Sequence, residues 1–299
     1  MLSGGFAARG RWVSRGTIST PLKFFALVSG HARLSTDGID TPIELEPGDV
    51  AVLNSRSWLE LEGGAGGGPR CEITPEESDR ATPLLAADRE ADDVLVGGRV
   101  DLNPAGQALL LQALPPVAHV RASVAAETNL RGSLDRLFEE VTGDRMGSAF
   151  AIRQYGQLLL LEVLRAYVDQ AELPAGWLRL HTDERLRPAL TLMHAEPGRH
   201  WGLPELARAA AMSRTSFAEH FRTVAGAPPL TYLHRWRMLL AQRALRDGDA
   251  RVGALAIELG YASQSAFSNA FRREVGVSPL RYRHRVRQQP PVPKTSARA

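Results

Sequence analysis

Two hydrophobic periodicities divide this chain. From Leu22 to Leu61, apolar and β-branched residues alternate or cluster in the short runs KFFALVSG, HARLSTDG and TPIELEPGDVAVL. Gly, Asp and Pro punctuate these runs, which predicts strands joined by tight turns. A second β-rich stretch is expected from Asp93 to His119, beyond an acidic, Pro- and Gly-rich segment at 62–92. The period then lengthens. Leu130 to Val141 and Ala149 to Val168 carry apolar stripes at helical spacing. The run Leu158 to Leu161 makes the second stripe wide, predicting burial on two sides, against the strands and against another helix. Residues 288–299 (QQPPVPKTSARA) show no apolar period and read as a disordered tail.

The C-terminal region is a duplication. Shifted by 50 residues against itself, it pairs Ser213 with Ser263, Phe217 with Phe267, Phe221 with Phe271, Arg222 with Arg272 and Gly226 with Gly276. Pro229, Leu230, Tyr232, His234 and Arg235 then meet Pro279, Leu280, Tyr282, His284 and Arg285, giving ten identities within 23 aligned positions. Each copy makes physical sense. Leu203, Leu206, Ala207 and Ala210 form one helical stripe, and Ser213 suits the N-cap of a second helix. Phe217 and Phe221, one turn apart, face the first helix, and Gly226 stops the second. The second copy repeats the plan with Ala254 to Leu259, the turn Gly260-Tyr261-Ala262, and Ser263 capping a helix that carries Phe267 and Phe271. The first turn, Ala210-Ala211-Met212, has no glycine. Two short helices, a tight turn and an aromatic-packed second helix make a helix-turn-helix. Between the copies, Leu233, Trp236, Leu239, Leu240 and Ala244 predict one helix over Leu230 to Arg246. A connector of about 25 Å suits two recognition helices held near one B-DNA turn apart.

Charge sharpens this picture. The formal net charge of +3 hides a balance of −9 over residues 1–184 and +10 over residues 185–287, where every base is Arg. A basic, duplicated helix-turn-helix segment points to a polyanion. The single cysteine, Cys71, excludes an intramolecular disulfide framework and fits a reducing compartment. There is no apolar run of about 18 residues to span a membrane and no signal-peptide pattern, so the cytoplasm is the expected location.

Over residues 182–287 the chain resembles the AraC/XylS family of bacterial transcription regulators. Trp201 to Gly226 (WGLPELARAAAMSRTSFAEHFRTVAG) is similar to that family's first helix-turn-helix, and Ile257 to Arg283 (IELGYASQSAFSNAFRREVGVSPLRYR) to its second. Tyr232-Leu233, Arg237-Met238, Ala241 and Leu245 resemble its linker helix, and Ala211 stands where the family commonly has glycine. The resemblance implies two recognition helices, 213–224 and 263–274, reading promoter DNA. Their implied groove-facing residues are Arg214, Thr215, Ser216, Ala218, Glu219 and Arg222, then Gln264, Ser265, Ser268, Asn269, Arg272 and Arg273. Gln264 and Asn269 suit bidentate pairing with adenine, while Arg222, Arg272 and Arg273 suit phosphate. Glu219 fits either acceptance from cytosine N4 or pairing with a nearby Arg. His234 and His284 are repeated and fit phosphate contact, capping or a plain surface role.

The N-terminal half resembles the cupin-like barrel of many such regulators, with ELEPGDVAVL (Glu44 to Leu53) placing Gly48-Asp49 in a barrel turn. Many cupins are metal enzymes that use clustered His and Glu ligands. Here the usual downstream ligand position falls near Leu59, the eight histidines are scattered, no H-x-H occurs, and His31 stands alone. No metal site, cofactor or catalysis is therefore expected, and Cys71, alone in a Gly-rich loop, is read as incidental. The expected architecture is α+β in two domains. A cupin-like effector domain spans 1–125, a helical coupling or dimerisation segment 126–181, and an all-α domain with tandem helix-turn-helix units 182–287. The expected partners are double-stranded promoter DNA, a small-molecule effector at the N-terminal domain and RNA polymerase if the protein activates. The wide stripe of 149–168 fits either a homodimer or an intrachain α-hairpin. An enzyme localised by its basic domain and an architectural DNA binder are the rival classes.

Overall fold

Strands in the first half follow from runs that must be buried on one face or on both. The computed structural model describes residues 2–64, 71–73, 88, 92–100, 102–123, 129–143, 145–170 and 173–288. Most of the 62–92 segment and the tail from 289 lie outside them. The chain forms two units, residues 1–173 and 174–299.

In the first unit the strands are β1 (Leu2–Ala8), β2 (Trp12–Thr17), β3 (Leu22–Ser29), β4 (Ala32–Thr36), β5 (Ile43–Leu45), β6 (Val50–Asn54), β7 (Trp58–Gly63), β8 (Cys71–Ile73), β9 (Asp93–Arg99) and β10 (Val117–Val120). They form two five-stranded sheets, ordered β1-β9-β3-β6-β10 and β5-β4-β7-β2-β8. Between them lies a core that includes Trp12, Phe25, Leu27, Leu34, Leu45, Leu53, Leu61 and Leu95. β3 and β6 are buried on both faces, which explains their near-continuous apolar runs. Outside the first sheet, Leu159, Leu160 and Val163 of a long helix approach Phe24, Val50 and Val52. Asp93 ties the sheets together, accepting from the buried Trp12 Nε1 at 2.7 Å and from the His31 amide at 2.8 Å.

The stretch Asp93 to His119 is not all β. After β9 the chain forms helix α1 (Pro104–Ala113) before β10. The Asn103 side chain accepts from the Gly106 amide at 3.0 Å, and the run of Ala, Leu and Gln beyond it favours helix. Asn54 Nδ2 receives the other end, donating to the carbonyls of Leu111 and Leu114 at 3.0 and 2.7 Å. Cys71, expected in a loop, is exposed at the start of β8.

Helices α2 (Leu130–Thr142) and α3 (Ser148–Gln170) complete the first unit. As expected, α3 packs against both the strand layer and α2, yet the wide stripe is not wholly covered: Leu159 and Val163 are in the core, whereas Leu158 and Leu161 remain 41% and 44% exposed. Gln170 fastens the end of α3 to the strand layer, exchanging two 3.1 Å hydrogen bonds with the Arg121 backbone.

The second unit contains α4 (Trp177–Thr182), α5 (Arg187–Ala195), α6 (Leu203–Ala209), α7 (Arg214–Ala225), α8 (Pro229–Asp247), α9 (Val252–Glu258), α10 (Gln264–Val275) and α11 (Pro279–Gln288). It starts ahead of the expected position 182, because Leu180 of α4 is part of its core. Two hydrophobic cores divide the work. One gathers Leu186, Met193, Trp201, Leu206, Phe217, Phe221 and Leu233, the other Met238, Ala241, Leu245, Leu255, Phe267, Phe271 and Tyr282. The connector α8 supplies Leu233 to the first core and Met238, Ala241 and Leu245 to the second, so one rigid rod is shared by both. No helix among the described residues is long and apolar enough to cross a membrane.

Candidate nucleic-acid interface

Each candidate recognition helix is set by the same local devices. Ser213 Oγ accepts from the Ser216 amide at 3.2 Å, and Ser263 Oγ from the Ala266 amide at 3.1 Å. Gly226 and Gly276 end the helices in left-handed conformation, with φ of 69° and 84°. Both helices are 12 residues long. Inward, Phe217 and Phe221 stand 5.7 Å apart between ring centroids, as do Phe267 and Phe271. Tyr232 and Tyr282 close the two clusters edge-on, each 5.6 Å from the second Phe. The duplication is therefore one of packing geometry as well as of residues.

This packing leaves the opposite faces to solvent. Arg214, Thr215, Ser216, Glu219 and Arg222 are exposed on α7, with Ala218 half-buried. On α10, Gln264, Ser265, Asn269, Arg272 and Arg273 are exposed and Ser268 is half-buried. The expected residues thus share one outward face on each helix. Glu219 forms no ion pair among the described residues, so its carboxylate is available as an acceptor.

The turns inside the two units also match. Ala211 N donates to Arg208 O and Met212 N to Ala207 O, while Gly260 N donates to Ile257 O and Tyr261 N to Ala256 O. Both turns need a left-handed residue. Gly260 supplies it at φ 79°, and Ala211 adopts it at φ 52° despite its methyl group. The expected departure at Ala211 is thus one of residue type and not of turn geometry.

Several contacts that the sequence reading missed brace the two helix-turn-helix copies within the second unit. Arg237 of α8 donates from Nε to Pro197 O at 2.6 Å and from Nη2 to Arg199 O at 2.8 Å. Burial lowers its pKa, an expected cost of fixing a guanidinium on carbonyls. Its repeat equivalent, Arg287, donates from Nη2 to Gly248 O at 2.6 Å and to Asp249 Oδ1 at 2.8 Å. In both copies, then, an Arg grips the loop that leads into its own helix-turn-helix. His194 stacks on Trp236 at 4.3 Å and shares a 2.8 Å hydrogen bond between Nε2 and the Tyr232 hydroxyl, tying α5 to α8. His234, read as phosphate contact, cap or surface residue, is half-buried with Nδ1 3.0 Å from the Tyr261 hydroxyl. His284 is exposed and bonds Gln288 at 3.0 Å. Behind α7, His220 Nε2 lies 2.8 Å from Asp183 Oδ2, and Gly176 N donates to Val224 O at 2.9 Å. Residues 176–183 therefore back the first recognition helix.

In the first unit Asp49 sits in the expected turn, almost wholly buried. It receives the Ala122 amide at 2.9 Å and the Glu46 amide at 3.2 Å, and lies 2.9 Å from His119 Nε2. Burial alone would raise its pKa, but these hydrogen bonds outweigh it and hold the carboxyl below the usual range. His31 pairs with Glu44 at 2.9 Å on the surface. Among the described residues no group of three or more His, Cys, Asp or Glu is placed to hold a metal ion.

A cupin family model matches residues 2–169 and a helix-turn-helix domain model residues 206–285. The chain is 35% identical over 270 residues to an AraC-like transcription regulator of Streptomyces lividans, covering 88% of this chain and 87% of that protein. A protein of the same name from Streptomyces antibioticus is 36% identical over 270 residues, again covering 88% and 87%. Among solved structures, the DNA-binding domain of AdpA, a global transcriptional factor in complex with a target DNA, is 32% identical at a TM-score of 0.35. It is matched over 100% of its length by 37% of this chain. The chain belongs to the AraC-like DNA-binding transcription regulators, with a cupin domain ahead of its helix-turn-helix domain.

Proposed function

We propose that α7 and α10 enter successive major-groove segments on one face of promoter DNA, and that the cupin domain modulates this binding through a small-molecule effector. The observation that carries the DNA reading is the pairing of two identically capped 12-residue helices on one shared rod. The 19-residue α8 spans about 28 Å, of the order of a B-DNA turn. Gln264 and Asn269 read adenine, and Arg222, Arg272 and Arg273 grip phosphates and set register. Arg214, Thr215, Ser216, Ala218, Ser265 and Ser268 line the same groove faces, and the unpaired Glu219 favours cytosine N4.

The exposed Leu158 and Leu161 of α3, and the exposed Phe150 nearer the start of the same helix, support a homodimer through the first unit. The protein acts in the cytoplasm without catalysis, and contacts RNA polymerase where it activates. Binding titrations on a selected site test the assignment. Asn269→Ala or Gln264→Ala should cost about 1–3 kcal/mol and relax one half of the site. Arg272→Ala should weaken all duplexes similarly and reduce the salt slope by about one. Uniform losses from all three variants would contradict the assigned roles.

A further inference from the structure

Resting on the reading of Gln264 as an adenine contact, we propose that Gly253 sets the base preference of the second recognition helix. It does so as a positioning residue, by leaving open the space in which the Gln264 carboxamide lies. Gly253 is the second residue of α9 and Gln264 the first of α10. A methyl group on Gly253 would stand 3.0 Å from Gln264 Oε1, closer than ordinary van der Waals contact. Beyond the adjoining residues and the backbone of α9, no other heavy atom among the described residues comes within 4 Å of that point.

The fold gives no other reason for glycine at this position. Gly253 is helical and is not one of the residues with positive φ, unlike Gly260 in the turn that follows. Within a helix glycine is disfavoured against alanine, because the unfolded chain has more freedom to lose. No backbone of another element presses on it. The first copy differs here: the second residue of α6 is Pro204, and α7 opens on Arg214. The bare position therefore accompanies the glutamine and not the arginine.

Orientation is what a reading glutamine needs. Its carbonyl oxygen and amide nitrogen must meet adenine N6 and N7 together. Hydrogen bonds weaken steeply with misalignment, and recognition groups must be held within about 0.5 Å of the productive geometry. Among the described residues the Gln264 carboxamide makes no hydrogen bond, so its donor and acceptor are both free for a base. Its orientation then depends on what it lies against, and Gly253 is that surface. Oε1 is the far end of a flexible side chain, so a methyl group on Gly253 would turn the carboxamide aside by a few tenths of an ångström and leave the backbone in place.

Site selection followed by titration tests the proposal, using the full chain with Gly253→Ala, Gln264→Ala and the double substitution. The position read by Gln264 is the one whose adenine preference, about tenfold in the parent chain, Gln264→Ala relaxes. Gly253→Ala should reduce that preference by about threefold or more, with Tm unchanged or raised and the half of the site read by α7 unaffected. In the Gln264→Ala background the same substitution should change nothing. An intact adenine preference in Gly253→Ala, an equal effect without Gln264, uniform weakening on all duplexes or a lowered Tm would overturn the proposal. Loss of the preference in Gln264→Ala but not in Gly253→Ala sinks this inference and leaves the adenine reading standing. Gln264→Ala without effect on any position sinks both.

Discussion

Gly198 and Gly260 meet backbone to backbone. A methyl group on Gly260 would overlap the carbonyl oxygen of Gly198, and one on Gly198 would overlap that of Glu258. The loop before the first helix-turn-helix therefore rests on the turn of the second, and Arg237 holds that loop from α8. Together with the shared rod, this contact fixes the relative placement of the two recognition helices.

Gly260→Ala should break the contact and force a methyl group into a left-handed turn. A loss of roughly 1–3 kcal/mol is expected in chemical denaturation. The variant should also tolerate an added base pair between the two halves of a selected site better than the parent chain does. A variant with unchanged stability and spacing preference would show that the contact does not set the register.

Ala211→Gly should act in the opposite direction. A left-handed Ala costs roughly 1–2 kcal/mol, and the flexibility of unfolded Gly returns about half of that. A net gain of about 0.5–1 kcal/mol is expected, read as a rise in Tm. A fall in Tm would mean that the Ala211 methyl makes contacts worth more than the strain.

Acid should loosen the two units in different pH windows. Burial, with His181 nearby, lowers the His194 pKa in the folded state, so the unfolded chain binds its proton first. Its contribution is complete above about pH 6.5, the unfolded value, and is lost as pH falls through that value. The Asp49 carboxyl is also depressed, but its contribution is present above about pH 3.9 and is lost only as pH falls through the lower folded value. Scanning calorimetry from pH 7 to 3 should show the DNA-binding unit weakening first. His194→Gln should flatten the upper window and Asp49→Asn the lower. Simultaneous loss of both units near pH 4 would refute the ordering.

The DNA-binding unit was legible because its signals are local and occur twice. Ser caps, Phe pairs and stop glycines lie within one or two helical turns of what they control. The first unit was harder. ALLLQAL reads as strand or as buried helix by apolar content alone, and the decisive signal was Asn103-Pro104 ahead of it. The Asp49–His119 pair joins residues 70 apart, and no local pattern announces it. Arg237 was within reach. The same 50-residue shift, continued two residues beyond Arg235 and Arg285, pairs Arg237 with Arg287 and predicts an equivalent role for both. The wide stripe on α3 spoke of burial, but nothing in its sequence told the buried Leu159 from the exposed Leu158 and Leu161.

Selection of genomic DNA by the full-length protein at about 150 mM salt, followed by sequencing of what is retained, tests the central claim most directly. The account predicts a few enriched intergenic sites, each with two short motifs about one helical turn apart. Diffuse retention with a specificity ratio near one against random duplex would contradict it.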